Sequence, residues 1–262
     1  MVARRTEPPE GRRLIGPADE AGVSPHLRFP GRSADGRKPG AVILMLHGGK
    51  SASREPVTRT NLAALRMSRF APAFESAPAD RVRVALLRYR YRGWKGHGDD
   101  AEPQLPDPVR DARWALDRVA DRFGDQVPVV LAGHSLGGRV AVRVADHPTV
   151  RAVVALAPWL PPGEPTAPLA GRTLLVVHGD QDRVTGPKAS AAFARQAAPL
   201  TTATYVRLLE GCGHAMLRDA GVWHRTVRDF TLGVLGELGL LGGAGLPGYL
   251  TAARIDAAAA DT

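Results

Sequence analysis

Six short apolar runs recur along the chain at 42–47 (VILMLH), 82–88 (VRVALLR), 127–132 (VPVVLA), 150–157 (VRAVVALA), 173–178 (TLLVVH) and 204–209 (TYVRLL). They are rich in Val and Leu and mostly lack strict alternation, the pattern of strands buried on both faces of a parallel sheet. Between them the period changes. Val109, Ala112, Leu116, Val119 and Phe123 recur three and four residues apart, with Pro108 suited to a first turn and Gly124 to a stop, so 108–123 is a predicted helix. Trp223, Val227, Phe230 and Val234 form a second stripe over 222–234, and weaker helical patterns cover 60–75 and 187–198. Alternating strands and helices predict an α/β fold whose central sheet is mostly parallel, with about six to eight strands flanked by helices. Sites in such sheets lie beyond the carboxyl ends of the strands, which directs attention to the loops after each run.

The flanks lack this patterning. Residues 1–25 read as a polar N-terminal arm, 26–240 as the single α/β domain, and 241–262 as a tail of glycine- and alanine-rich pieces. At 262 residues the chain suits one large domain. No stretch is long and apolar enough to span a bilayer, and the N-terminus has no apolar core of a secretory signal, so the expected location is cytoplasmic. The formal charge of +9 raises the question of nucleic acid, but of 35 basic residues four are lysine and the rest are scattered arginines rather than a stripe. A single cysteine, Cys212, excludes an intramolecular disulfide and a cysteine metal cluster.

Chemistry enters at GHSLGG, residues 133–138. Gly133-x-Ser135-x-Gly137 follows an apolar strand and precedes the helical spacing of Leu136, Val140 and Val144, the strand–turn–helix setting in which a serine can be exposed on a sharp turn. A serine hydroxyl needs a base, and the base an orienting carboxylate. Downstream, GDQDRV offers Asp180 and Asp182 beyond one strand, and EGCGHAML offers His214 beyond the next. Serine, acid and histidine therefore occur in that chain order, each just past a strand end.

These motifs, together with LMLHGG at 44–49, resemble those of the α/β-hydrolase superfamily, in the esterase/lipase and dienelactone-hydrolase-like range, over about residues 40–235. The resemblance implies Ser135 as nucleophile, His214 as base and Asp182, rather than Asp180, as acid, since the family pattern G-D-x-D-x-x-V puts the catalytic acid second. It implies an oxyanion hole from the backbone N–H of Leu136 and that of Gly49, with Lys50 as the alternative. It also implies a serine hydrolase of carboxylesterase type acting on small-molecule esters through an acyl-enzyme, with no cofactor. A thioesterase, acyltransferase or aminopeptidase-type peptidase would use the same triad, and a non-catalytic hydrolase-like binding protein is a rival of another class.

Other residues admit plainer roles. His47, His134 and His178 sit beside glycines at strand ends but lack metal-ligand spacing, so they are expected to fix loops, and no metal is expected. Cys212 is expected to be a packed residue, because the elbow position is serine. The loop 88–100 (RYRYRGWKGHGDD) could line a substrate wall with Trp94 or form a solvated rim, and Trp159 and Leu160 could form the apolar side of a pocket. Only 15 residues separate the runs ending at 157 and starting at 173, which leaves no room for a large cap domain.

Overall fold

The computed structural model describes residues 13–31, 38–74, 82–94, 105–241 and 245–255. Its centre is a nine-stranded sheet in the order β1-β2-β4-β3-β5-β6-β7-β8-β9. The six patterned runs become β3 (Ala41–Leu46), β4 (Val82–Arg88), β5 (Val129–His134), β6 (Val150–Leu156), β7 (Thr173–Gly179) and β8 (Ala203–Leu209), all mutually parallel. Three short antiparallel edge strands complete it: β1 (Leu14–Ile15), β2 (His26–Arg28) and β9 (Arg254–Ile255). Two or three residues carry too little pattern to announce a strand, so the sheet exceeds the expected count at its edges. Two of these edge strands fall in the flanks at 1–25 and 241–262.

β5 lies two residues later than its apolar run. Its start is displaced because Pro128 has no N–H to give a ladder. Its end is extended because Gly133 and His134 still pair with Ala155 and Leu156 of β6.

The helices follow their stripes. The region 60–75 divides into α1 (Leu62–Ser68), whose N-cap Asn61 accepts from Ala63 and Ala64, and a 3-10 turn at Ala71–Phe74. Helix α2 (Asp107–Phe123) has Pro108 in its first turn and stops at Gly124, whose φ of 99° favours glycine. Next come α3 (Leu136–Arg143), α4 (Pro187–Ala197) and α5 (Ala220–Glu237), with α6 (Gly248–Thr251) a single turn before β9. One core layer packs Leu116, Val119, Val140 and Phe193 against Leu44, Leu131 and Val176. The other packs Met67, Phe70, Trp223 and Phe230 against Ile43, Val130 and Val154. Covered on both faces, the central strands need no alternation. Between β6 and β7 the chain makes only a 3-10 turn at Ala167–Leu169. Among the described residues no helix is long and apolar enough to cross a membrane.

Candidate active site

Ser135 occupies the turn from β5 into α3 with φ 54° and ψ −116°, a strained conformation for a residue with a side chain. Its neighbours make that turn possible. A Cβ on Gly133 would lie 2.1 Å from the Gly137 carbonyl oxygen, and one on Gly137 would lie 2.2 Å from that of Leu46. Side chains at either position would push the elbow off the sheet. The Ser135 amide donates to the Leu156 carbonyl (2.9 Å), and its own carbonyl accepts from Gly138 and Trp159 (3.0 and 3.1 Å). The serine is thus tied to the next strand, the next helix turn and the segment after β6.

His214 arrives from the loop after β8, and its Nε2 lies 3.1 Å from Ser135 Oγ. On the other side, Nδ1 lies 2.8 Å from Asp182 Oδ2. Asp182, from the loop after β7, is itself strongly held. Its Oδ1 accepts from the amides of Val184 and Thr185 at 2.8 and 3.0 Å, and the Thr185 hydroxyl stands 2.9 Å from Oδ2. Burial by itself would raise its pKa. The amides of Thr185 and Val184, the His214 ring and the Thr185 hydroxyl outweigh that and hold it down at about 2. A carboxylate fixed in its charged form keeps the proton of a neutral His214 on Nδ1 and turns Nε2, as acceptor, toward the serine.

The other acid has a different place. Asp180 Oδ1 accepts from the Gly211 amide (2.8 Å) and braces the loops after β7 and β8 against each other.

Three further histidines support the site from behind. In His47, Nε2 accepts from the Tyr89 amide (3.2 Å), so Nδ1 carries the proton and donates to the Gly48 carbonyl (2.7 Å). Burial pushes this ring down to about 4, and it stays neutral. His134 donates from Nε2 to the His214 carbonyl (2.9 Å), its ring centroid 4.8 Å from that of His214. Burial, and after it the nearness of His214, takes it to about 3. His178 stands 3.0 Å from Asp182 Oδ2 through Nε2 and 2.9 Å from the Ser190 hydroxyl through Nδ1. Each histidine fixes a loop. Among the described residues no group of three or more His, Cys, Asp or Glu could hold a metal ion.

The loop after β3 lies against the elbow. The amide of Lys50 donates to the Arg92 carbonyl (2.7 Å), and Trp94 returns a bond to the Lys50 carbonyl (3.1 Å). The amide of Gly49 has no hydrogen-bond partner among the described residues, and neither has that of Leu136 at the start of α3. A Cβ on Gly49 would lie 2.2 Å from the Arg92 carbonyl oxygen, so the close crossing of these two segments also demands glycine.

A cleft of about 410 Å³ opens over Ser135 and Leu136, walled by Gly49, Lys50, Trp159, Val184 and Thr185. Of the three residues expected to line a substrate pocket, Trp159 is there. Leu160 is buried in the core layer beneath, and Trp94 stands behind Trp159, edge to face at 6.1 Å. Residues 95–100 of the expected wall loop lie outside the described residues. Between the two indoles lies the Arg139 guanidinium, 3.8 Å from the Trp94 ring and 4.6 Å from Trp159. Buried Glu164 accepts from Arg139 Nε (2.6 Å) and from Arg143.

Sequence reasoning did not find Thr185 or the Arg139–Glu164 pair. For Thr185 a signal existed: it lies three residues after Asp182, the reach of a side-chain-to-backbone turn. The pairing of Arg139 with Glu164 spans 25 residues and left none. Cys212 is a buried packing residue, 2% exposed, in the layer with Trp223.

Comparisons with known proteins agree with this architecture. Sequence comparison with curated proteins gives no match. By structure the chain is similar to an alpha-beta serine hydrolase homologue from Coxiella burnetii (TM-score 0.63, 16% identity, covering 85% of this chain and 98% of that one). It is also similar to an a/b serine hydrolase without lid from Xanthomonas campestris (0.60, 16%, 92% and 100%). A thermophilic esterase from Thermogutta terrifontis, with propionate bound, matches at 0.63 with 17% identity over 90% and 97%. The family model for the alpha/beta hydrolase domain matches residues 63–219, more than half of the sequence. The chain belongs to the α/β-hydrolase family.

Proposed function

We propose that the protein is a serine hydrolase that cleaves small carboxylic esters, with Ser135 as nucleophile, His214 as general base and Asp182 as the orienting acid. The observation that carries this reading is the unbroken run of contacts from Ser135 Oγ through the His214 ring to Asp182, at 3.1 and 2.8 Å, at the floor of an open cleft. His214 Nε2 takes the hydroxyl proton as Oγ bonds to the acyl carbon, and the carbonyl electron pair moves onto oxygen. That oxyanion is received by the amides of Gly49 and Leu136, one such donor contributing about 3 kcal/mol. Lys50 is the poorer candidate, because its amide is already engaged by Arg92. The positive end of α3 favours the same charge. Collapse of the tetrahedral adduct breaks the ester C–O bond, and His214 returns its proton to the departing alcohol. Water, deprotonated by His214, then releases the acid and restores Ser135.

The size of the cleft, with one aromatic wall and a polar rim of Lys50, Ser51 and Thr185, supports short acyl groups. The bound propionate of the Thermogutta esterase points the same way. The test is direct. Ser135→Ala is expected to lower p-nitrophenyl acetate turnover at least about a thousandfold, with an unchanged circular dichroism spectrum. Turnover retained in that variant, or failure of a fluorophosphonate to label Ser135, would overturn the reading. Parallel assays on acyl-thioesters and aminoacyl amides separate esterase from thioesterase and peptidase chemistry.

A further inference from the structure

A second cleft of about 410 Å³ lies between α1 and the β2–β4 edge of the sheet, and shares no lining residue with the one over Ser135. Its chemistry begins with strand register. In the β2–β4 pair His26 stands opposite Arg88, and Arg28 stands opposite Leu86. Residues two apart on a strand share a face, so His26, Arg28, Arg88 and Leu86 project to the same side. Arg13, immediately before β1, and Arg59, in the turn before α1, complete the lining with two more positive groups.

Among the described residues no carboxylate lines this cleft and none of the four arginines makes an ion pair. By contrast Arg90, Arg113, Arg139 and Arg143 all face carboxylates. Arg13 Nε donates to His26 Nδ1 at 2.6 Å, which leaves the proton of the neutral ring on Nε2 as a further donor. Burial first, then Arg88, Arg13 and Arg59, hold His26 down at about 4. Burial, with Arg13 and Arg59, lowers Arg88 as well. The positive groups converge on one space and oppose one another there.

We propose that this cleft is a binding site for a small phosphate-bearing anion, gripped by the guanidinium groups of Arg13, Arg28, Arg59 and Arg88 and by the His26 N–H. Guanidinium forks match the paired oxygens of phosphate, and four unopposed charges suit a multiply charged group better than a single carboxylate. Ala64, Leu65 and Leu86 offer an apolar flank on which an organic portion of the same molecule can rest. Among the described residues the lining holds no aromatic ring for base stacking, and its four arginines share one recess, so the observations favour a small anion over a nucleic-acid strand.

The test is calorimetric titration of the full chain with pyrophosphate at constant ionic strength. Saturable one-to-one binding is expected, weakened at least about tenfold in the Arg59→Gln/Arg88→Gln variant. Arg59 is exposed, so Arg59→Gln alone serves where the double variant fails to fold, with a smaller loss expected. Tighter binding of a nucleoside diphosphate than of pyrophosphate would assign the site to an organic phosphate, and the reverse order to the free inorganic anion. Absence of saturable binding would overturn the proposal. So would heats unchanged by both variants, or affinity for a single-stranded oligonucleotide that grows with its length.

Discussion

Asp182 shows how much of the site's electrostatics is set by a few hydrogen bonds. Its burial opposes ionisation, yet two amides, a hydroxyl and an imidazole bring it to about 2. His47 and His134 are driven the other way, to about 4 and 3, and remain uncharged. Between pH 5 and 8 none of these three changes its charge, so none of them adds an ionisation to the pH dependence of activity in that range. The acid side of log kcat/KM against pH is therefore expected to fall no more steeply than a slope of one. Ester hydrolysis measured across that range checks this, and a slope of two would mean that Asp182 titrates in the same window. Thr185 belongs to the same balance, since it supplies both an amide and a hydroxyl to the carboxylate.

At the scale of elements, the elbow and the segment after β6 are fastened from two sides. Trp159 is bound through its amide to the Ser135 carbonyl and rests on Arg139, which α3 presents one turn beyond Ser135. Glu164, with no exposed side-chain surface, ties Arg139 and Arg143 to the same segment. Glu164→Gln would leave two guanidinium groups without their counter-charge in a largely buried setting. The expected loss is about 3 kcal/mol of unfolding free energy, read from the midpoint of a urea transition, together with a raised KM as the Trp159 wall loosens. None of this was visible in the sequence. The meeting of Ser135, Asp182 and His214 was, because each carries a glycine-marked turn directly after an apolar run, and the order of runs fixes the order of loops. The six central strands and α2 were visible for the same reason: burial on both faces, or on one stripe, writes itself into composition. Leu14–Ile15 and Arg254–Ile255 are two-residue ladders that gain their partners only from the finished sheet edge. Arg139 and Glu164 meet through tertiary packing, and Leu160 packs into the core beyond the bend at Ala157, whose φ of 40° no periodicity encodes.

At the scale of the whole molecule, one end of the sheet carries an open cleft, and among the described residues no helix is inserted above it. The segment between β6 and β7 holds only a 3-10 turn, and Trp159 within it faces the cleft directly. Turnover of p-nitrophenyl butyrate is accordingly expected to follow a simple hyperbola through the solubility limit. An abrupt rise in rate on micelle formation would indicate a moving cover that the described residues do not form.

The bonds that build this site reach far along the chain. Ser135 and His214 are 79 residues apart, and the amide that orients His47 comes from Tyr89, 42 residues downstream. Such contacts close late, after the loop entropy of the intervening chain has been spent. During refolding, ester hydrolysis should consequently be the last property to return: helices and strands can register spectroscopically while Ser135 still lacks its contact with His214. Time-resolved esterase activity would then act as a clock for the closing of the sheet's centre.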